Sequence, residues 1–369
     1  MTLRHIATVE DLKAYLQVAL QLEHATIPPY LTALYSMHPS TNADAYRVIR
    51  VVAVEEMLHL TLAANLLNAV GGEPDLIVDG FVPIYPCHLP DGEDDFEVGT
   101  RAFSREAVES FLKIERPAEA ADQRYVSRDR SGRALLPGVD AHEDDLHFFS
   151  IGEFYAEIGE GIQRLHDQLG EALFCGDPAR QVGSEYYYSG GGTIVEVTDA
   201  ASAAAAMRVI SEQGEGLGGG IFDEEGELAH YFRFEQLLLG RYYQPGDQAG
   251  SPTGPTLDVD WDAVYPIVDD ADFGYYTEPG ELLDAVTAFS AAYGDFLAEL
   301  TEAFRGRPDL LVPAVVDMFR IKELASQIMR NPMPGRPGLN AAPIFRGLDP
   351  VGLDSLGLES ADFVPVEVS

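Results

Sequence analysis

Two Glu-x-x-His motifs on apolar helical stripes constrain the fold of this chain more than any other feature. Between about Ala43 and Val70, apolar residues recur every three or four positions, which predicts a helix with one inward-facing stripe. Glu56 and His59 interrupt that stripe, and Glu227 with His230 forms the second motif on another apolar face. Because burial of an unpartnered carboxylate is unfavourable, each motif requires a hydrogen-bonded partner or a cation.

Two further glutamates extend this pattern to four helices. Glu23 lies on the apolar face of a helix predicted from about residue 8 to 37, and Glu153 lies in a helix predicted over about 146–169. One Glu from each of two helices and Glu-x-x-His from each of two others form a carboxylate-bridged dinuclear metal centre in four-helix bundles. The predicted metal ligands are Glu23, Glu56, His59, Glu153, Glu227 and His230.

Such a site predicts two non-haem metal ions, each with one histidine nitrogen. Carboxylates would bridge the ions or bind one of them, and open positions would remain for O2 or substrate. Iron is the expected metal, with manganese or copper as alternatives.

The sequence leaves rivals for two of these ligands. Glu153 and Glu157 belong to one helix and could both lie on its solvent side. If one of them faces the centre, Glu157 is the rival of Glu153 for the ligand role. Glu212 and Glu215, at the end of the preceding helix, are rivals of Glu227.

Two neighbouring residues are predicted to support the centre rather than bind metal. Glu55 is expected at its rim or behind the ligands, and His24 is expected to pack or to hydrogen-bond a carboxylate. A third interpretation is a metal-free scaffold in which the inward carboxylates form paired networks.

The remaining segments predict an all-α protein: a four-helix bundle with additional C-terminal helices and long irregular connections. Residues 1–245 are assigned to the bundle and its inserted loops, and 246–369 to a helical extension packed on the bundle and an irregular tail. The connection over 73–145 is expected to be partly irregular, with a short helix from Ser104 to about Ile114, and residues 185–197 to form a small strand pair. A helix is predicted from about 223 to 239.

Charge and cysteine usage restrict the partners. The chain has 61 acidic against 24 Lys and Arg residues, a net charge of −37, which disfavours nucleic acid and anionic membrane surfaces. Cys87 and Cys175 cannot build a disulfide framework, and the sequence contains neither a signal-peptide core nor a long apolar span. The expected location is the cytoplasm.

Four segments of the sequence resemble one known family. These are QLEHATIPPYLTALYS, VAVEEMLHLTLAANLLNAVGG, SIGEFYAEI and ELAHYFRFEQ. Together, within about residues 8–245, they are similar to the ferritin-like domain of iminophenyl-pyruvate dimer synthases, enzymes of violacein- and rebeccamycin-type pathways. The resemblance implies a ferritin-like bundle, a non-haem metal site and oxidative chemistry, and its motifs contain all six candidate ligands.

The expected function is that of an O2-dependent dinuclear metal oxidase or oxygenase, with di-iron as the expected form. Its substrate would be a small organic molecule, with amino-acid-derived compounds as candidates. A separate reductase or reducing co-substrate would supply electrons, and a homo-oligomer is compatible with the sequence. The alternative function is metal handling, meaning iron oxidation and storage or peroxide detoxification.

Overall fold

The fold of the described residues is entirely helical. The computed structural model describes residues 5–91, 95–117, 148, 150–187, 191–216, 220–223 and 225–347, and these contain eight α-helices and no extended strand. The all-α prediction is therefore confirmed.

The two longest helices of the N-terminal half form the central pair. Helix α1 spans Val9–Ser36 and α2 spans Ala43–Ala69, and both are buried along most of their length. Thr8 begins α1 with a capping box, in which its hydroxyl accepts from the backbone N–H of Asp11. Pro28 and Pro29 do not end α1, which continues for seven more residues to Ser36.

Six further helices surround this pair. Their bounds are Arg105–Ile114 (α3), Ile151–Leu169 (α4), Ala200–Glu215 (α5), His230–Leu239 (α6), Glu281–Phe304 (α7) and Leu311–Ile328 (α8). Helix α4 contacts α1 and α5, while α6 contacts α2, α3 and α5. Their apolar faces join those of α1 and α2 in one core, and this positions side chains of α1, α2, α3 and α6 around a common interior point.

Two local predictions are wrong. The helix expected from about residue 223 begins only at His230, because residues 221–223 and 225–229 lie in a tight turn. In that turn the Asp223 N–H donates to the Glu227 carbonyl, and the Ala229 N–H donates to the Ile221 carbonyl. The strand pair expected over 185–197 is also wrong for the described residues of that segment, which are turns and irregular chain.

The C-terminal helices pack on the central pair. Helix α7 contacts α2, and α8 contacts α1. Asn68 near the end of α2 donates to the Phe304 carbonyl at the end of α7, at 2.7 Å. The division of the chain at residue 245 stays a prediction, and the expected irregular tail beyond 347 and much of the 73–145 connection lie outside the described residues.

A membrane-spanning helix must be both long and apolar. None of the described helices combines enough length with enough apolar character to cross a bilayer.

Candidate metal centre

Glu56 occupies the middle of a buried cluster of carboxylates and imidazoles. Its Oε1 lies 2.9 Å from Nδ1 of His230 and 3.6 Å from Nδ1 of His59, one helical turn further along α2. The two imidazole rings are nearly parallel, with centroids 5.4 Å apart. Glu56 therefore faces both histidines with the same oxygen atom.

Glu23 of α1 completes the first group of candidate ligands. Its Oε2 lies 3.5 Å from Nδ1 of His59, and the ligand atoms of Glu23, Glu56 and His59 all lie within 4.8 Å of one another. All three side chains are almost fully buried. This group unites three of the six predicted ligands.

A second group consists of Glu56, Glu115 and His230. Oε2 of Glu115 lies 3.4 Å from Nδ1 of His230, and the three ligand atoms again lie within 4.8 Å of one another. Glu115 is the residue directly after α3, and it is buried. The two groups share Glu56, so five side chains form one continuous centre.

Each carboxylate of the centre has one oxygen held by a hydroxyl group. Tyr155 donates to Oε1 of Glu23 at 2.7 Å, and Thr26 donates to Oε2 of Glu56 at 2.9 Å. Tyr30 donates in the same way to Oε1 of Glu115. The other oxygen of each carboxylate faces the histidines.

The atoms that face the centre do not satisfy one another. Among the described residues, Oε2 of Glu23 and Nδ1 of His230 are buried and make no well-aligned hydrogen bond, although Nδ1 of His230 lies only 2.9 Å from Oε1 of Glu56. The two contacts of His59 Nδ1, at 3.5 and 3.6 Å, exceed the usual hydrogen-bond range of about 2.7–3.2 Å. Nitrogen and oxygen donors that converge on one point without bonding to each other fit a pair of divalent transition-metal ions.

Electrostatics lead to the same conclusion. Burial raises the pKa of Glu23 to about 7, and burial together with the charge of Glu56 raises the pKa of Glu115. Burial alone would raise the pKa of Glu56, but its histidine neighbours lower it. Burial would lower the pKa of His59 and His230, yet the carboxylates raise that of His59 to about 10 and that of His230 well above its usual value. The centre therefore attracts positive charge, whether protons or metal ions.

The structure does not bring Glu227 into this centre. Its side chain is 70% exposed and lies 3.6 Å from Arg233. Since α6 begins at His230, Glu227 precedes the helix instead of lying one turn before the histidine on the same face. The rival Glu212 lines a large cavity. Glu215 accepts a hydrogen bond from the backbone N–H of Gly152 and lines a small cavity beside Glu23, Glu56 and His59, but it belongs to neither ligand group.

Glu153 also lies outside both groups. It is half-buried in the first turn of α4, where its backbone N–H is capped by Ser150. The rival Glu157 binds the N-terminal segment, accepting from the backbone N–H of Ile6 at 2.9 Å. The contribution of α4 to the centre is instead the Tyr155 hydroxyl described above.

Sequence reasoning missed Glu115, although a signal was present. Val108 and Phe111 are buried on one face of α3, and Glu115 follows them at spacings of seven and four. The helix is short and the chain after it is polar, so the apolar spacing does not extend far enough to mark Glu115 as an inward residue. Of the two supporting residues, Glu55 is buried and contacts His230, whereas His24 contacts the hydroxyl of Tyr293 at 2.6 Å rather than a carboxylate.

Two cavities of very different size approach the centre. The smaller, of about 10 Å³, touches Glu23, Glu56, His59 and Glu115, and offers about the room of one water molecule. The larger, of about 700 Å³, is of the size typical for small organic ligands. Its wall includes Glu55 and Gln213, which contact the outer nitrogens of the two histidines.

A helical bundle with buried carboxylates and histidines at its centre defines a ferritin-like protein. A sequence model of the family described as Ferritin-like matches residues 16–239, well over half of the chain, and the chain belongs to this family. The predicted fold class and the predicted relationship to enzymes of violacein and rebeccamycin type are confirmed.

Two individual proteins are similar to this chain, one in sequence and one in fold. Dichlorochromopyrrolate synthase of Lentzea aerocolonigenes is 28% identical over 329 residues, covering 80% of this chain but only 29% of the synthase. A crystal structure of a ferritin-like protein from Caulobacter vibrioides superposes with a TM-score of 0.60 at 21% identity, covering 92% of this chain and 99% of that one. The chain spans less than a third of the length of the synthase, and the crystal structure supports the fold.

Proposed function

We propose that this protein is an O2-dependent non-haem dinuclear oxidase or oxygenase that carries two iron ions and acts on a small organic molecule. The observation that carries the proposal is the pair of ligand groups that share Glu56. Glu23 and His59 would hold one ion, Glu115 and His230 the other, and Glu56 would contact both. When bound, a redox-active metal pair would provide the electrons for reduction of O2, with the organic substrate or a separate reductant as their eventual source.

The chain's own residues would prepare this site before any metal enters. The hydroxyls of Thr26, Tyr30 and Tyr155 fix one oxygen of each carboxylate and leave the other directed inward. Burial excludes bulk water, which strengthens electrostatic interactions inside the centre. The side chains are thus held in an arrangement that requires little reorganisation on metal binding.

The two cavities support a separation of small and large reactants. The small cavity on the ligand side suits a diatomic molecule or a single water. The large cavity has apolar and aromatic side chains such as Phe222 and Tyr242 alongside charged ones, and this mixed lining suits an amphipathic organic molecule. Similarity to a synthase supports an enzymatic role over a storage role.

Metal analysis combined with oxygen consumption tests the proposal. Protein purified without chelators should contain two iron ions per chain and, after anaerobic reduction, should consume O2. His59→Ala should lose one ion and most O2 consumption, because it removes the nitrogen ligand of one position. Glu227→Gln is the matched control, since Glu227 is exposed, and it should retain both. Full iron content and full O2 consumption in His59→Ala would contradict the proposal.

The metal-handling alternative has a separate signature. An iron-storage protein of this fold would assemble into a cage and oxidise iron without an organic substrate. Size-exclusion chromatography would then show a cage-sized particle, whereas the proposed enzyme elutes as a monomer or small oligomer. Protein that folds normally and contains no metal would instead support the metal-free scaffold.

A further inference from the structure

The outer nitrogens of the two histidines have different partners. Nε2 of His59 lies 2.9 Å from Oε1 of Gln213, and Nε2 of His230 lies 2.9 Å from Oε2 of Glu55. The distances are equal, but one acceptor is a neutral amide and the other is a carboxylate. In both cases the outer N–H donates to an oxygen, so Nδ1 is the nitrogen of each ring that would bind a metal ion in the centre.

Each outer partner is itself held in place. The side-chain amide nitrogen of Gln213 donates to the Gly191 carbonyl at 2.6 Å, so the amide oxygen must face His59. Oε1 of Glu55 lies 3.3 Å from Nη2 of Arg233, whose Nε donates to the Leu228 carbonyl. The difference between the two partners is therefore built into α2, α5 and α6.

The inner ligands do not offset this difference by charge. Each group contains one histidine, the shared Glu56 and one further carboxylate, Glu23 or Glu115. Each of those two carboxylates also accepts from one tyrosine hydroxyl. The two positions match in ligand type and differ mainly in the residue that accepts a hydrogen bond from Nε2 of the histidine.

We propose that the two metal positions are inequivalent, and that Glu55 is a positioning residue that makes the Glu56–Glu115–His230 position the tighter one. This inference rests on the proposed dinuclear centre. A carboxylate partner raises the basicity of a metal-binding imidazole, and charge-assisted hydrogen bonds are about twice as strong as neutral ones. The position of His230 should therefore fill first when metal is limiting.

Cobalt titration of the metal-free full-length protein tests this inference. Co²⁺ alone is the probe, and its visible absorption reports binding at each position. His59→Ala isolates the His230 position, and His230→Ala isolates the His59 position. We expect His59→Ala to bind its ion more tightly than His230→Ala binds its own.

Adding Glu55→Gln to these backgrounds provides the decisive comparison. It should weaken binding by about 10- to 100-fold in His59→Ala and leave His230→Ala unchanged, because second-sphere partners act on their own ligand. Gln213→Ala is the matched control. It should weaken binding only in the His230→Ala background, where the remaining position contains His59, the partner of Gln213. Equal effects of Glu55→Gln in both backgrounds would overturn the inference, since that result indicates a general loss of structure.

A measurement on the unaltered protein guards against variants that fail to fold. Crystals grown with one equivalent of Co²⁺ should show the stronger anomalous peak beside Glu115 and His230. A stronger peak beside Glu23 and His59, or two equal peaks, would overturn the inference while leaving the dinuclear centre intact. Wild-type protein that binds no Co²⁺ would overturn the proposed function as well.

Discussion

At the scale of single residues, the hydroxyl groups around the centre give a direct prediction. Tyr30→Phe removes the donor to Glu115, which frees that carboxylate to rotate. Metal affinity at the Glu115–His230 position should fall by about tenfold, as is usual for loss of an outer partner. Tyr276→Phe is the control, because its hydroxyl donates to the Ala342 carbonyl, away from the centre. Cobalt titration that shows the same affinity in both variants would contradict the assigned role of Tyr30.

The replacement of Glu227 by Glu115 as a candidate ligand gives a second prediction. Glu115→Gln keeps the size of the side chain but removes the charge that faces His230, so one metal ion per chain should be lost. Glu227→Gln alters an exposed side chain and should keep both ions. Metal analysis of the two variants distinguishes the assignments, and loss of an ion from Glu227→Gln alone would restore the prediction made from the sequence.

The ligands differ in how far the sequence determines them. Glu23, Glu56 and His59 could be predicted because they lie on long helices whose apolar faces are evident from local spacing. Spacing alone could not show whether Glu227 and His230 lie on one face of the same helix. The intervening turn depends on hydrogen bonds between backbone groups of residues 221–229, and these leave no periodic pattern.

At the scale of elements, substitution of two glycines of α4 by alanine should change the free energy of unfolding in opposite directions. A Cβ at Gly161 would meet side-chain atoms of Ile6 at 2.8 Å, whereas a Cβ at Gly159 would meet Met207 at an ordinary contact distance of 3.6 Å. Gly161→Ala should lower the free energy of unfolding by about 1–3 kcal/mol because the buried Ile6 must move. Gly159→Ala should raise it by about 0.5–1 kcal/mol through reduced backbone entropy.

Denaturant unfolding of the two α4 variants measures these changes. Two substitutions of the same kind, two residues apart, control for the general effect of alanine in a helix. A stabilising effect of Gly161→Ala equal to that of Gly159→Ala would contradict the close packing of α4 against the N-terminal segment.

Helix ends differ in how well they follow from sequence. The side chains of Thr8 and Asp199 cap the starts of α1 and α5, and such caps follow from sequence because capping is a property of a few adjacent residues. The start of α6 was not, because Ala229 supplies no side-chain cap and the helix begins where a tight turn ends. Burial of His230 against α2 and α3 fixes that boundary, and such tertiary contacts are absent from local sequence.

At the scale of the whole molecule, the net charge of −37 predicts a salt-dependent stability. Repulsion among the acidic side chains destabilises the compact state, and salt screens it. Raising the ionic strength from about 0.01 M to about 0.1 M shortens the Debye length from about 30 Å to about 10 Å. The thermal unfolding midpoint should therefore rise over this range, and a constant or falling midpoint would contradict a stability limited by self-repulsion.

Fold class was the most predictable property of the molecule, because long amphipathic helices dominate its sequence. The four motifs in order were sufficient to indicate the ferritin-like family, which the comparisons confirm. Helices α7 and α8 pack on the central pair, and the sequence contained no signal for individual contacts such as that of Asn68 with Phe304. Long-range contacts of this kind arise only once the core has formed.

Anomalous X-ray scattering across the iron and manganese edges tests the central claim most directly. For crystals of protein purified without chelators, the account predicts two peaks on either side of Glu56, one beside Glu23 and His59 and one beside Glu115 and His230. The absence of peaks there, or peaks beside Glu153 or Glu227 instead, would contradict it.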